Sequence, residues 1–286
     1  MIKVNGYPIE ITKFPNGESL IKRNFAKPLV KDYRVSLKFE SDVDIMHLTM
    51  IKHEIDEIHG EAILQLPYVP YSRMDRTEGK NVFTLKAICK LINSLNFKEV
   101  HILEPHSDVC VALLDRVVPY EYTIRTLLPK ALKETNLDLN GNDYLVFPDG
   151  GAEKRYAKQV GYKNILTAIK HRDFATGDIK SLEIIGEAKE GFNAIIVDDL
   201  CSRGGTFMLT ANKLKEMGAN NIYLVVTHCE STILEGDVLK DYSPINKVFT
   251  TNSLINEVYL NMGRGQFESC FGRSVKLDKI SVTEVF

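Results

Sequence analysis

The 286-residue chain is 44% hydrophobic and 26% charged, with a formal net charge of −2. That balance gives no broad basic field for a nucleic-acid backbone, and the length suffices for one large or two medium domains with their own cores. The five cysteines, at positions 89, 110, 201, 229 and 270, are odd in number, scattered and without CxxC spacing, which argues against a disulfide framework and a structural zinc site and implies reduced thiols.

The first residues, MIKVNGYPIEITKFPNGE, lack the basic-then-apolar order of a signal peptide, and no apolar run of about 18 residues occurs, so a soluble cytoplasmic protein is expected. Short strands are predicted at 2–4, 9–12 and 35–39, with Phe14-Pro15-Asn16-Gly17-Glu18 as a turn by its chemistry. Ile45, Leu48, Met50, Ile51 and Ile55 recur at helical spacing within 42–59. A buried strand at 62–66 follows and delivers Tyr68-Val69-Pro70-Tyr71-Ser72-Arg73-Met74-Asp75-Arg76, in which Arg73 and Arg76 are permanently charged forks suited to polyphosphate oxygens. After a charged loop at 77–80, a helix is predicted at 83–93 and a strand at 100–103 that ends in Glu104-Pro105-His106-Ser107-Asp108.

The stretch 117–142 is read as the crossing between two domains, 1–130 and 131–286. A strand at 144–147 then leads into Pro148-Asp149-Gly150-Gly151-Ala152-Glu153-Lys154-Arg155, and a strand at 165–169 leads into Lys170-His171-Arg172. The polar, glycine-containing residues 173–191 have the composition of a mobile flap. Within 193–226 stands a complete strand, loop, helix, strand unit. Ile195, Ile196 and Val197 form an apolar strand, Asp198 and Asp199 end it, and Cys201-Ser202-Arg203-Gly204-Gly205-Thr206 opens a helix with Phe207, Ala211, Leu214 and Met217 on one face and Gly218 as its stop. A small-residue loop opening a helix aims backbone amides and the positive end of the helix dipole at one spot, which favours a phosphate. Two acids beside it suit ribose hydroxyls or a magnesium shell. Further on, Thr227-His228-Cys229-Glu230 and Thr250-Thr251-Asn252-Ser253 end strands, and 279–286 alternates like an edge strand.

DDLCSRGGT resembles the ribose-phosphate loop of type I phosphoribosyltransferases and, more closely, of ribose-phosphate pyrophosphokinases, also called PRPP synthetases. FPNGE is similar to that family's FxDGE with Asn16 for Asp, and YVPYSRMDR to its YxPYxRQDR with Met74 for Gln. EPHSD stands where the family has a histidine segment linked to metal. PDGG matches PDxGG with one residue fewer, and KHR matches KxR. The resemblance covers nearly the whole chain and implies an α/β architecture of two doubly wound parallel-sheet domains of the phosphoribosyltransferase kind, with the C-terminal tail returning to the first.

It also implies a reaction, transfer of the β,γ-diphosphoryl group of magnesium-ATP to the anomeric hydroxyl of a ribose phosphate with release of AMP. In that reading Phe14, Asn16, Glu18, Arg73, Asp75 and Arg76 bind ATP, with Phe14 and Glu18 reaching the adenine held by a neighbouring subunit of a homo-oligomer, a dimer or hexamer. His106 and Asp149 organise magnesium, and Lys170 and Arg172 stabilise the transferring group from a mobile loop. Asp198 and Asp199 grip the ribose 2- and 3-hydroxyls, while Ser202, Arg203, Gly204, Gly205 and Thr206 hold its phosphate. The family's usual loop is DTxGT. Here Ser202 removes an acid and Arg203 adds a second phosphate-binding fork, so two acceptors stay open: ribose 5-phosphate, and ADP-ribose as used for NAD rebuilding by a phage-associated branch that makes ADP-ribose pyrophosphate. A phosphoribosyltransferase consuming PRPP and a non-catalytic regulatory paralogue are the rival readings.

Overall fold

The protein was examined as a computed structural model that describes residues 1–25, 31–77, 79–172, 179–262 and 275–285. They form two units, Met1–Glu121 and Tyr122–Glu284, with Val285 grouped with the first. This division falls ahead of the boundary expected near residue 130. The stretch 117–142 is no linker: Val117–Tyr120 is a strand of the first unit, whereas the π-turn Thr123–Leu127 and the helix Leu128–Thr135 bury Leu127, Leu128 and Ala131 in the core of the second.

The first unit runs β1 (Ile2–Val4), β2 (Tyr7–Pro8), β3 (Ile11–Lys13), β4 (Ser19–Ile21), β5 (Asp32–Leu37), α1 (Val43–Glu57), β6 (Glu61–Leu66), α2 (Thr84–Ser94), β7 (Glu99–Leu103), α3 (Asp108–Leu113) and β8 (Val117–Tyr120). Its sheet has the order β2-β1-β5-β6-β7-β8, parallel from β5 to β8 and antiparallel at β1 and β2. The strands expected near 9–12 and 35–39 occupy Ile11–Lys13 and Asp32–Leu37. The helical spacing in α1 does what its pattern predicts: Ile45, Leu48, Ile51 and Ile55 are buried against the sheet, while Met50 is exposed. Each such side chain contributes about 1.5–3 kcal/mol by leaving water. β3 and β4 form a separate antiparallel hairpin.

The second unit runs α4 (Leu128–Thr135), β9 (Tyr144–Phe147), α5 (Gly150–Tyr156), β10 (Ile165–Arg172), β11 (Ile179–Ile185), β12 (Ala194–Cys201), α6 (Gly205–Glu216), β13 (Ile222–Cys229), β14 (Ile245–Thr251), α7 (Glu257–Leu260) and β15 (Ile280–Thr283). The strand order is β11-β10-β9-β12-β13-β14-β15, parallel throughout except for the antiparallel pair β10–β11. Because side chains alternate along a strand, the sheet feeds two cores. Val146, Ile196, Leu224 and Val248 face α6, and Phe147, Val197, Val225 and Phe249 face α4 and α5.

Two features differ from the sequence reading. The strand expected at 165–169 continues to Arg172, and Ile179–Ile185 pairs back on it, so the stretch expected to be a flap holds a strand; residues 173–178 lie outside the described part of the chain. The cysteines at 89, 110, 201 and 229 are not scattered in space: Cys201 and Cys229 stand in register on adjacent strands, both buried, and Cys89 lies against Cys110, while Cys270 lies outside the described residues. No helix among the described residues is long and apolar enough to cross a membrane.

Candidate active site

In the second sheet the chain leaves β9 for β10 on one side and returns to β12 on the other. At such a switch point the loops after the two central strands diverge and leave a crevice outside the carboxyl ends of the strands. The segments that follow β9 and β12 are Pro148–Gly151 and Ser202–Gly204 in sequence, the two stretches singled out above for phosphate chemistry.

Asp149 caps α5. Its Oδ1 accepts from the amides of Gly151 and Ala152, each at 3.0 Å, and its Oδ2 accepts from Lys170 Nζ at 2.7 Å. Burial pushes this carboxyl up, but the Lys170 ammonium and the amides of Ala152 and Gly151 outweigh it and hold the group below the usual carboxylate range. Lys170 therefore sits on strand β10 with an anion of its own chain; Arg172 belongs to the same strand.

The loop after β12 is built differently. Gly204, the N-cap of α6, has φ +81°, and a Cβ there would come within 2.2 Å of Val238 Cγ2, so only glycine fits. The Arg203 carbonyl packs so closely on Gly236 that a Cβ on Gly236 would lie 1.9 Å from it. The turn Ser231–Glu235 buttresses the loop further: Ser202 Oγ lies 3.0 Å from Thr232 Oγ1, which donates to Glu230 Oε2 at 3.1 Å. Glu230 N in turn donates to the Cys201 carbonyl at 2.8 Å. Arg203, with its side chain 71% exposed, pairs with Glu235 at 2.8 Å. No side chain caps α6, and beside Gly205 there is open space. Helix amides without an internal acceptor, facing open space at the positive end of a helix, form an anion cradle.

Asp198 and Asp199 part company. Asp199 pairs with Arg155 Nη1 at 2.5 Å and its side chain is 4% exposed, whereas Asp198 is 17% exposed and accepts from the Asp199 amide at 2.8 Å. Burial first, then the neighbouring Asp199 and Asp149, push the Asp198 carboxyl well above the ordinary carboxylate range. Thr227, His228, Thr250, Thr251 and Ser253 are all buried in one network: the Thr227 carbonyl accepts from Thr251 Oγ1 at 2.7 Å and Ser253 Oγ at 3.3 Å, and His228 Nδ1 lies 2.9 Å from Ser253 Oγ. Those two strand-end motifs brace the sheet.

In the first unit, Phe14–Glu18 is the tip of the β3–β4 hairpin, closed by Phe14 N to the Glu18 carbonyl at 2.8 Å. Phe14 is 50% exposed, and Asn16 donates to Glu18 Oε2 at 2.8 Å in solvent. Arg73 and Arg76 are exposed and Asp75 half-buried in the segment beyond β6, while His106 is half-buried beyond β7. Tyr71 there has φ +61° and donates to Asp42 Oδ1. Ser72 Oγ and Ser107 Oγ are buried with no hydrogen-bond partner among the described residues, polar capacity left unused beside the strand ends.

Among the described residues no three His, Cys, Asp or Glu side chains cluster as a metal cage. Magnesium is usually held by one or two carboxylates together with substrate phosphates, so the donor set is still suitable. The raised Asp198 carboxyl beside Asp199 and Asp149 marks a hard-oxygen group short of positive charge. Sequence reasoning quoted Arg155 only as part of a motif and missed Thr232, Glu235, Gly236 and Val238; their spacing from the loop they support gives no local signal.

A family model for the phosphoribosyl synthetase-associated domain matches residues 163–264. The ribose-phosphate pyrophosphokinase of Pyrococcus abyssi is 26% identical over 262 residues, covering 87% of this chain and 85% of its own, and that of Aeropyrum pernix is 29% identical over 59% of this chain. The aligned stretch spans about half, 54%, of the A. pernix protein. The chain is thus similar to ribose-phosphate pyrophosphokinases over most of its length. Its fold agrees: the crystal structure of phosphoribosylpyrophosphate synthetase from Mycobacterium smegmatis superimposes with a TM-score of 0.73 at 18% identity, covering 97% of this chain and 86% of that one. Both units thus hold parallel-rich α/β sheets, the fold of that structure.

Proposed function

We propose that the protein is an ATP-dependent diphosphokinase that transfers the β,γ-diphosphoryl group of ATP to the anomeric hydroxyl of a ribose phosphate and releases AMP. The observation that carries this reading is the uncapped start of α6, opening on free space at Gly205 on the loop that follows Asp198 and Asp199, in a chain similar to this family. The α6 amides and Thr206 bind the acceptor's phosphate, and Asp198 and Asp199 accept from ribose hydroxyls. Lys170 and Arg172 neutralise charge that develops on the transferring oxygens, a role that needs no nucleophile from the protein. Arg73 and Arg76 hold ATP phosphates, with Asp75 beside them, and Phe14, Asn16 and Glu18 receive adenine in a homo-oligomer. Asp149 supplies carboxylate oxygen to magnesium, and His106 meets magnesium-ATP directly or through water. When bound, the ion screens the polyphosphate's negative charge.

A second acceptor, ADP-ribose, is favoured by one observation: Arg203 stands exposed at the rim of the loop, held by Glu235 in a surface pair worth under about 1 kcal/mol, which a second phosphate can displace. AMP release from ATP is to be measured with ribose 5-phosphate and with ADP-ribose. Release with ribose 5-phosphate alone assigns PRPP synthesis. Comparable or faster release with ADP-ribose, shifted back toward ribose 5-phosphate by Arg203→Thr, assigns the larger acceptor. No release with either acceptor refutes the proposed reaction and returns the PRPP-consuming transferase and the regulatory paralogue.

A further inference from the structure

The two acids near the end of β12 are neighbours in sequence but differ in exposure and partner. Asp199 has a side chain only 4% exposed, whereas the Asp198 side chain is 17% exposed and accepts from the Asp199 amide at 2.8 Å. Beside them, on α5, stands Arg155. Its guanidinium lies 2.5 Å from Asp199 and 3.9 Å from Asp198, over the ring of the fully buried Tyr156 at 5.6 Å. The helix that ends near Arg155 is the one whose first turn Asp149 caps, so two turns of backbone tie the Lys170-binding carboxylate to the end of β12.

We propose that these acids divide the work: Asp198 alone faces the ribose phosphate, and Arg155 is a positioning residue that withdraws Asp199 from the ligand and locks the end of β12 to α5. This rests on the functional reading above and replaces its paired grip on the ribose hydroxyls by a single one. A buried carboxylate with a full guanidinium partner has little left to offer a sugar, and a partner removed leaves a buried charge that distorts the strand end.

The test is a set of double-mutant cycles on the full chain, reading ribose 5-phosphate affinity by calorimetry and stability by thermal unfolding. Arg155→Met is expected to weaken ribose 5-phosphate binding at least ~10-fold, with most of it restored in Arg155→Lys, which a mere loss of bulk would not allow. Arg155→Met and Asp199→Asn should be coupled, the double variant binding no worse than the weaker single. Asp198→Asn should be more damaging than Asp199→Asn and should multiply its loss onto either. Where Arg155→Met does not fold, Asp199→Asn compared with Asp199→Asn/Arg155→Met decides, since loss of the guanidinium should cost no further affinity once the charge at 199 is gone. Losses at 155 and 199 that multiply, with Asp199→Asn as damaging as Asp198→Asn, overturn the proposal. If the unaltered protein binds neither ribose 5-phosphate nor ADP-ribose, the functional reading fails; the lock itself is then judged by unfolding, where coupled losses at 155 and 199 support it and additive ones refute it.

Discussion

The starts of α5 and α6 look alike in sequence, each an acid followed within a few residues by paired glycines, yet they are finished in opposite ways. At α5, Asp149 turns back onto the amides of Gly151 and Ala152 and also takes the Lys170 ammonium, so anion and cation are both supplied from within the chain. At α6, Gly204 brings no side chain, the acids lie upstream on the strand, no side chain caps the first amides, and a Cβ at Gly205 would meet open space. A helix start whose amides are already taken by its own cap offers them to no external anion. One that is held rigid by Val238, Gly236 and Thr232 from outside but left uncapped is prepared for an external anion.

The contrast can be broken from the α5 side first, where the largest effect is expected. Lys170→Ala should lower kcat by about 10²- to 10³-fold while moving ATP affinity less, because the ammonium acts on charge that appears during transfer. Steady-state rates set against equilibrium ATP binding check this, and a fall in affinity with kcat intact refutes the role. Next comes rigidity at α6. Gly204→Ala meets both the positive φ and Val238, and should destabilise the second unit by about 1–3 kcal/mol, read by denaturant unfolding.

Gly205→Ala and Gly150→Ala sharpen the comparison, since both positions open onto space and neither carries a positive φ. The first should leave the melting temperature near its original value while weakening ribose 5-phosphate binding by about 10-fold, roughly 1.4 kcal/mol. The second, at the self-capped helix, should alter ribose 5-phosphate binding far less. Equal losses at the two positions would mean that the open cradle is not where the phosphate binds.

The smallest effects are in the carboxylates, and they have opposite signs. Asp149 has a depressed folded-state pKa, so its stabilisation is fully present above the unfolded value near pH 3.9 and is lost as pH falls through the lower folded value. Asp149→Asn should therefore cost about 1 kcal/mol at neutral pH, mostly as a lost cap and ion pair, and the difference should vanish in acid. Asp198 is raised, so the fold carries a penalty for its charge above the folded value that is relieved as pH falls toward the unfolded one. Asp198→Asn should stabilise the unit by about 1 kcal/mol, a rise of about 2–4 °C in melting temperature, while weakening acceptor binding. Scanning calorimetry near pH 7 separates the pair.

Much of this was legible in the chain itself. The apolar runs at 144–147 and 194–197 and the spacing of Ile45, Leu48, Ile51 and Ile55 fixed the strands and helices, because periodic burial is a local property. So was the turn into α6, since Gly204 and Gly205 announce a turn into a helix whatever surrounds them. The division between the units does fall inside 117–142, at Glu121/Tyr122, but no linker composition marks it, and the helices that follow are recognised only by the core they fill.

Periodicity determined the individual strands and helices, and the order of the strand-end motifs carried the resemblance from which the α/β fold class followed, because both depend on residues close together in the chain. Tertiary structure alone decided which acid is more open and which is taken: Asp198 and Asp199 are indistinguishable as neighbours in sequence, and become different only when an arginine more than forty residues earlier closes on Asp199 at 2.5 Å and stays 3.9 Å from Asp198. It also paired Cys201 with Cys229, tied Lys170 to Asp149 and brought Gly236 beneath Arg203. Contacts between residues far apart in sequence arise from how parallel strands stack side by side, and that stacking leaves no mark on the local pattern of either partner.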